Sequence, residues 1–246
     1  MNNLTPSTIT FQVIDQARQF LKQNRHNPAL EETFGYFINN PIAARLNQTR
    51  LLNIIKRVHQ HQTQRPQPLK IVDLACGGGL IATSLSQIGC QVLGIDHNQA
   101  EIEIAQNFTQ LFPHPAQFIA ADLTNPDWQI QTEKILGGKP NIAILAYALH
   151  HIPRVDQFVQ NLCGWLPAGS TIIINEENDR SWLRNLKQFF RTIIIRNTDD
   201  EHHRPIAQWQ QLFIDNQAPI KFTEGIDYLP SPPTTAWSVI FEAVTQ

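Results

Sequence analysis

Three consecutive glycines, Gly77–Gly79, follow a short apolar segment that contains an acidic residue, Asp73. A second apolar segment comes after them and ends in Asp96, 23 residues beyond Asp73. Glycines let a backbone approach a ligand closely, and an acidic residue at the tip of the next strand is placed to bind ribose hydroxyls. The pattern therefore predicts a nucleoside-binding strand–helix–strand unit.

The position of Asp73 favours one class of nucleoside over another. A dinucleotide-binding turn has the spacing G-x-G-x-x-G and places a pyrophosphate at a helix N-terminus. In this chain an acidic residue precedes the turn, and Ala82 stands where the third spaced glycine would be. A carboxylate repels pyrophosphate but accepts hydrogen bonds from an ammonium group. The turn therefore fits a ligand that joins a ribose to a cationic amino acid.

Over residues 73–79 the chain resembles the class I S-adenosylmethionine-dependent methyltransferases, whose first motif is an acid-x-Gly-x-Gly-x-Gly turn. Ala75 replaces the first glycine of that motif. An alanine is tolerated there if its φ is negative and is strained if its φ must be positive. The resemblance spans about residues 69–176, where the segment 166–169 (Leu-Pro-Ala-Gly) also matches, and it implies S-adenosylmethionine as the methyl donor.

The resemblance also assigns residues to the donor. Asp73 and the glycine backbone would face its methionine end, Asp96 its ribose and His97 its adenine. Asp122 lies just after the third predicted strand, where the family has an acid that binds the adenine amino group, although an ordinary turn cap is the alternative there. The predicted donor-binding residues are Asp73, Ala75, Cys76, Gly77, Gly79, Asp96, His97, Ala121, Asp122, Leu123 and Ala146.

Two adjacent histidines follow the fourth predicted strand, in the segment that resembles the one lining the transferable methyl group. Imidazole titrates near neutral pH, so His150 or His151 is a candidate base for a hydroxyl or amine acceptor. The alternative is that one of them packs against or caps the following helix. Candidate substrate contacts are Tyr36, Tyr147 and Arg204, and no metal site is predicted.

The hydrophobic pattern indicates the elements that position these residues. Strands are predicted near residues 69–74, 91–95, 116–120, 141–146, 170–176, 219–224 and 236–244. Helices are predicted near residues 79–88, 98–110, 127–136, 153–165, 181–195 and 205–215. Single helices separate the first five strands, which predicts a doubly wound, mostly parallel, seven-stranded α/β sheet of the Rossmann-like type. The short gap between the last two strands agrees with the antiparallel hairpin of the resembled family.

Residues from about 8 to 60 are also predicted to be helical. We divide the whole chain into an N-terminal helical cap, residues 1–65, and a donor-binding domain, residues 66–246. That domain carries a helical insertion at about residues 178–216, before the sixth strand. The cap and the insertion are candidates to roof the pocket, and amphipathic helices that merely pack on the sheet are the alternative.

Composition argues against several other classes of function. The net charge is −2 and the chain has no run of Lys and Arg, so no nucleic-acid partner is predicted. Three scattered cysteines fit a reducing cytosol, and no apolar stretch approaches the ~20 residues that a membrane span needs. We therefore expect a cytoplasmic monomer or homodimer.

The leading interpretation is methyl transfer from S-adenosylmethionine to an O, N or C atom of a small-molecule acceptor, hydrophobic or aromatic in character. One alternative is a module that binds the donor and has lost turnover. A less favoured alternative is an NAD-dependent oxidoreductase, which would share the fold. For that activity the chain lacks the spaced glycines and a Tyr-x-x-x-Lys pair.

Overall fold

The computed structural model describes residues 5–24, 30, 34, 41–178, 204–226, 236 and 238–246. Its strands are β1 (Lys70–Leu74), β2 (Gln91–Asp96), β3 (Gln117–Ala120), β4 (Ile142–Ala146), β5 (Thr171–Glu177), β6 (Ile220–Ile226) and β7 (Ser238–Val244). They form one sheet in the order β3-β2-β1-β4-β5-β7-β6. The sheet is mostly parallel and helices flank it, which confirms the predicted fold class.

Strand pairing places the two acidic residues of the predicted unit near each other. β1, β2 and β3 are parallel neighbours, with Asp73 opposite Gly94 and Asp96 opposite Ala120. β1 and β2 are almost continuously buried, as is typical of parallel strands that are covered on both faces. β7 pairs antiparallel with both β5 and β6, so the predicted C-terminal hairpin is confirmed.

Local capping explains where several helices begin and end. The hydroxyl oxygen of Thr5 accepts a hydrogen bond from the backbone N–H of Thr8 (3.2 Å) at the start of the first helix. In the same way, Asn98 Oδ1 accepts one from the backbone N–H of Ala100 (3.0 Å). The described helices are α1 (Pro6–Gln23), α2 (Pro41–Thr63), α3 (Leu80–Ser86), α4 (Gln99–Thr109), α5 (Asp127–Leu136), α6 (Val155–Trp165) and α7 (Ile206–Asp215). The last five begin and end within two residues of their predicted bounds.

The chain forms two compact units, of which the first is Met1–Ile144. Within it α1 packs on α2, and both of these helices pack on α3. The Phe34 ring centroid lies 6.3 Å from that of Phe20 and 5.1 Å from that of Phe108, so an aromatic cluster joins α1 to α4. Helices are present where the N-terminal pattern predicts them, and a separate cap over residues 1–65 stays a prediction.

The second unit is Leu145–Gln246, and α6, α7 and β5–β7 form its described part. Phe213 of α7 packs edge-on against Phe241 of β7, with ring centroids 5.9 Å apart. Both rings are fully buried, so α7 is fixed to this end of the sheet by apolar packing. A single 3₁₀ turn, Leu149–His151, precedes α6 and contains the predicted histidine pair.

Some predictions fall outside the described residues. These are the substrate contact Tyr36, the helix at 181–195, and most of the insertion at 178–216, of which α7 is the described helix. Across the described helices, none combines the length and the apolar composition that a bilayer crossing requires.

Candidate functional site

The turn between β1 and α3 bends through several left-handed backbone conformations. Ala75, Gly77 and Gly79 have φ values of +55°, +49° and +77°. The N–H of Cys76 donates to the carbonyl of Ile95 (3.0 Å), and the N–H of Gly79 donates to the carbonyl of Cys76 (3.0 Å). The backbone conformation therefore favours glycine at positions 77 and 79, and the contact with Ile95 ties the turn to β2.

Asp96, at the end of β2, contacts the turn directly. Its Oδ2 accepts a hydrogen bond from the backbone N–H of Gly77 (2.9 Å), and its Oδ1 accepts one from the N–H of Asn98 (2.9 Å). The residue is only 7% exposed. A carboxylate offers about four acceptor positions, so two hydrogen bonds leave Asp96 with capacity for hydroxyl donors.

Asp73 is the second acidic residue at this turn, and it is 1% exposed. Its Oδ2 accepts a hydrogen bond from the N–H of Ala82 in α3 (3.2 Å). Burial raises the pKa of Asp73 to about 7; the Ala82 hydrogen bond opposes that rise and the Asp96 carboxylate adds to it. Two carboxylates that repel each other at one turn favour a cation there.

Cys76 belongs to the turn, and its thiol is close enough to both carboxylates to be affected by their charges. Desolvation raises the pKa of its thiol well above the ordinary value, and repulsion from Asp73 and Asp96 raises it further. The thiolate is the nucleophilic form of cysteine, so a protonated Cys76 is suited to packing and not to covalent chemistry. Its Sγ also lies 2.9 Å from where a Cβ on Gly94 would be, so the thiol fills the space that this glycine leaves.

The left-handed φ of Ala75 gives a prediction. A left-handed conformation costs an L-residue roughly 1–2 kcal/mol, whereas glycine adopts it freely but costs about 0.5–1 kcal/mol more backbone entropy on folding. We expect Ala75→Gly to raise the free energy of unfolding in urea by up to about 1 kcal/mol. Ala207→Gly, at an exposed helical position of α7, is the matched control and is expected to lower it. Destabilisation by Ala75→Gly as large as that of the control would contradict strain at Ala75.

The third strand end lies beside Asp96. The backbone N–H of Ala121 donates to the carbonyl of Asp96 (2.9 Å), and the carbonyl of Leu123 accepts from the indole N–H of Trp128 (3.2 Å). The His97 side chain is 82% exposed, with its Nδ1 3.3 Å from Asp96 Oδ1. The structure therefore brings Ala121 and His97 to the end of β2, and their contact with adenine stays a prediction.

Asp122 makes the contacts of an ordinary turn. Its Oδ1 accepts from the backbone N–H and from the hydroxyl of Thr124, both at 2.8 Å. The residue is exposed. The turn cap that the sequence offered as the alternative is thus present, and the role of Asp122 at adenine stays a prediction.

In the second unit, the chain turns sharply after β4. Tyr147 has a φ of +54°, which is rare for an aromatic residue, and its N–H donates to the carbonyl of Asn175 in β5 (2.8 Å). Ala146 and Tyr147 are half-buried, whereas the following Ala148 and Leu149 are fully buried. Strained backbone conformations cluster at functional sites, which supports Tyr147 as a candidate substrate contact.

Glu176 is a residue that the sequence reasoning missed. It is 1% exposed, and its Oε1 accepts from the backbone N–H groups of Ala148 (2.9 Å) and Leu149 (2.7 Å). Its Oε2 lies 2.7 Å from Nδ1 of His150. The available signal was an acidic residue inside the fifth predicted strand, two positions after its apolar run, because charged groups are rarely buried without a partner.

The two histidines differ in their surroundings. His150 is 5% exposed and contacts Glu176, whereas His151 is exposed. Their ring centroids lie 4.1 Å apart. The structure thus separates a pair that the sequence treats as equivalent: His150 is the histidine that a buried carboxylate orients.

Arg204 binds Asp156 at the start of α6. Its guanidinium donates to both carboxylate oxygens, at 2.9 and 2.6 Å, and lies 5.0 Å from the Trp209 ring centroid. The hydrogen bonds from Arg204 lower the pKa of Asp156. These contacts fix Arg204 to α6 and α7, and its role at a substrate stays a prediction.

Comparison with known proteins is consistent with this geometry. A family described as a methyltransferase domain matches residues 44–230. A ubiquinone biosynthesis O-methyltransferase of Rickettsia felis is 27% identical over 201 residues, which cover 77% of this chain and 76% of that protein. The magnesium protoporphyrin IX methyltransferase of Synechocystis PCC 6803, solved with bound S-adenosylmethionine, has a TM-score of 0.61 and 18% identity, with full coverage of both chains.

The same fold also occurs with other chemistry. The [4+2]-cyclase SpnF has a TM-score of 0.57 and 12% identity, over 79% of this chain and 80% of that one. Likeness at that identity concerns the fold alone, so the assignment rests on the family match, which extends over most of the chain. The chain belongs to the methyltransferase-domain family.

Proposed function

We propose that this protein transfers the methyl group of S-adenosylmethionine to a small-molecule acceptor. The observation that carries the proposal is the left-handed turn at Ala75–Gly79 between two buried carboxylates, Asp73 and Asp96. S-adenosylmethionine carries an ammonium, a sulfonium and a ribose, and its sulfonium makes the methyl group electrophilic. Two carboxylates favour these cationic groups and disfavour a pyrophosphate.

The predicted donor-binding residues of the first three strand ends then have defined tasks. Asp73 would hold the ammonium and Asp96 the ribose hydroxyls, while the left-handed glycine turn lets the backbone approach the donor closely. His97 and the segment 121–123 would line the adenine. Positioning is the main contribution that methyl transfer needs from a protein, because the reacting atoms must be aligned and water excluded.

The acceptor is proposed to be small and hydrophobic or aromatic. The relatives named above are called ubiquinone and magnesium protoporphyrin methyltransferases, and those names refer to small molecules. The net charge of −2 offers little attraction to nucleic acid. A cytoplasmic monomer or homodimer remains our proposal for location and assembly.

Calorimetry distinguishes the proposal from its alternatives. We expect S-adenosylmethionine to bind in the micromolar range and NAD not to bind; the reverse result contradicts the assignment of the turn. Transfer of a radiolabelled methyl group to an acceptor then separates an enzyme from a module that only binds the donor. That second step is needed because the fold also occurs in a cyclase.

Substitution of Asp96 tests the ribose contact. Asp96→Ala is expected to weaken S-adenosylmethionine binding by about 1.5–3 kcal/mol, roughly 10- to 150-fold, because charge-assisted hydrogen bonds are lost. The control is Asp96→Asn, whose carbonyl oxygen is still able to accept the Gly77 N–H, so its loss is expected to be smaller. Unchanged affinity in the alanine variant, measured by calorimetry, would show that Asp96 does not bind the ribose.

A further inference from the structure

Glu176 is a buried carboxylate with three hydrogen-bonding contacts, all to the segment after β4. Two are the backbone N–H groups of Ala148 and Leu149, and the third is Nδ1 of His150 at 2.7 Å. Glu176 and the His150 side chain are 1% and 6% exposed. A buried carboxylate costs free energy unless hydrogen-bond partners surround it, and these three contacts all come from the turn that carries the histidine pair.

The short contact limits which nitrogen of His150 carries a proton. Two lone pairs repel at 2.7 Å, so a proton lies between Nδ1 and the carboxylate. The two backbone N–H groups on Oε1 stabilise negative charge on Glu176, which places that proton on Nδ1. In neutral His150 the lone pair is then on Nε2, and the carboxylate stabilises the imidazolium that forms when Nε2 takes up a proton.

We propose that Glu176 is a positioning residue that makes Nε2 of His150 the base for an acceptor hydroxyl that is un-ionised at working pH. This inference rests on the proposed methyl transfer and names its acceptor class. The hydroxyl proton passes to Nε2, an oxygen lone pair forms the new O–CH₃ bond, and the electron pair of the broken S–C bond stays on sulfur. The proton on His150 then leaves to water.

The same argument separates hydroxyl acceptors from other classes. A carboxylate is already ionised and an activated carbon or a free amine already offers an electron pair, so a positioned base contributes less to their methylation. A histidine held by a buried carboxylate contributes most when the acceptor must lose a proton during attack. The pair Glu176–His150 therefore favours O-methylation of an alcohol or phenol.

The tautomer of His150 is the first test, and it needs no acceptor. In ¹⁵N-histidine-labelled protein, two-bond ¹H–¹⁵N spectra report which ring nitrogen is protonated, and His150→Gln assigns the signal. We expect neutral His150 with the proton on Nδ1. In Glu176→Gln the amide oxygen keeps the two N–H contacts and the amide N–H donates to Nδ1, so the proton is expected to move to Nε2. A wild-type ring protonated on Nε2 or on both nitrogens, or no change in the variant, overturns the proposal.

Turnover is the second test. With radiolabelled S-adenosylmethionine, catechol and 4-nitrocatechol serve as acceptors, because the nitro group ionises the hydroxyl near neutral pH. Glu176→Gln and His150→Ala are expected to lose about 100-fold or more in turnover of catechol and much less with 4-nitrocatechol, with donor affinity within about twofold of wild type. Glu177→Gln, the same change at the next residue, is the matched control and is expected to keep full turnover.

Each contrary result has a distinct meaning. Equal losses of turnover with the two catechols overturn the hydroxyl assignment. So does methylation of benzoate or an amine when neither catechol is methylated. Absence of turnover on every acceptor, while S-adenosylmethionine binds, overturns it as well. Failure of the donor to bind wild-type protein refutes the proposed function instead, and the tautomer of His150 still decides the role of Glu176.

Discussion

Gly79→Ala is expected to lower the free energy of unfolding by about 1–4.5 kcal/mol. Part of the loss is the left-handed φ of +77°, worth roughly 1–2 kcal/mol for an L-residue and offset by about 0.5–1 kcal/mol of backbone entropy that glycine costs on folding. The rest is steric, because a Cβ at this position would lie 2.6 Å from the Phe118 ring and 2.8 Å from Cβ of Ala105. Overpacking a buried contact costs typically 1–3 kcal/mol. Ala105 has no rotamer to escape through, so α4 itself would have to shift.

Gly89→Ala separates the two contributions. Gly89 also has a left-handed φ, +85°, but within the described part of the chain no atom beyond its two neighbours in sequence lies within 4 Å of its Cβ position. The control is therefore expected to lose only the net conformational part, at most about 1.5 kcal/mol. Urea unfolding of both variants gives the difference, which measures the packing of Gly79 against β3 and α4. Equal losses would show that the close approach at Gly79 is not what requires glycine.

The architecture of this chain is readable from its sequence because local pattern and tertiary fold agree. Parallel strands are buried on both faces, so β1 and β2 appear as apolar runs with an acidic residue at the end or next to it. The acidic residue that ends β2 lies at the glycine turn for a simple reason. Adjacent parallel strands bring their carboxyl ends to the same edge, and the spacing of Asp73 and Asp96 allows one crossover helix between them.

The parts that sequence did not reveal depend on contacts between distant residues. Glu176 and His150 are 26 residues apart, and their contact depends on β5 ending beside the turn after β4. Arg204 and Asp156 are 48 residues apart, so the sequence offered Arg204 as a substrate contact while the structure gives it an intramolecular partner. The sign of φ at Ala75 was likewise undetermined, because it depends on how β2 holds the turn.

Asp73 is expected to make stability depend on pH in the direction opposite to that of a salt-bridged carboxylate. Its pKa is about 7 in the folded protein and near 3.8 when unfolded, so between those values the folded state binds a proton that the unfolded state has lost. The free energy of unfolding contributed by Asp73 therefore falls as pH rises from 4 to 7, by about 4 kcal/mol, and is constant above 7. Asp73→Asn removes this slope, and at pH 8 the variant is expected to be more stable than wild type.

The same carboxylate is expected to bind the donor ammonium, which couples stability to function. An ammonium beside Asp73 favours the ionised form of that carboxyl group, so affinity for S-adenosylmethionine should rise as pH increases from 5.5 to 7.5. Asp73→Asn should bind S-adenosylmethionine more weakly, with little dependence on pH.

Urea unfolding and calorimetry at both pH values check the two effects. The matched control is Asp127→Asn, at an exposed aspartate at the start of α5. A variant that gains stability but keeps wild-type affinity would separate the buried charge from donor binding. A variant that loses both stability and affinity would contradict the expected cost of burying the Asp73 charge, because the amide oxygen of asparagine is still able to accept the Ala82 N–H. The expected combination, higher stability with weaker binding, is the trade-off of a charge that is buried for its ligand.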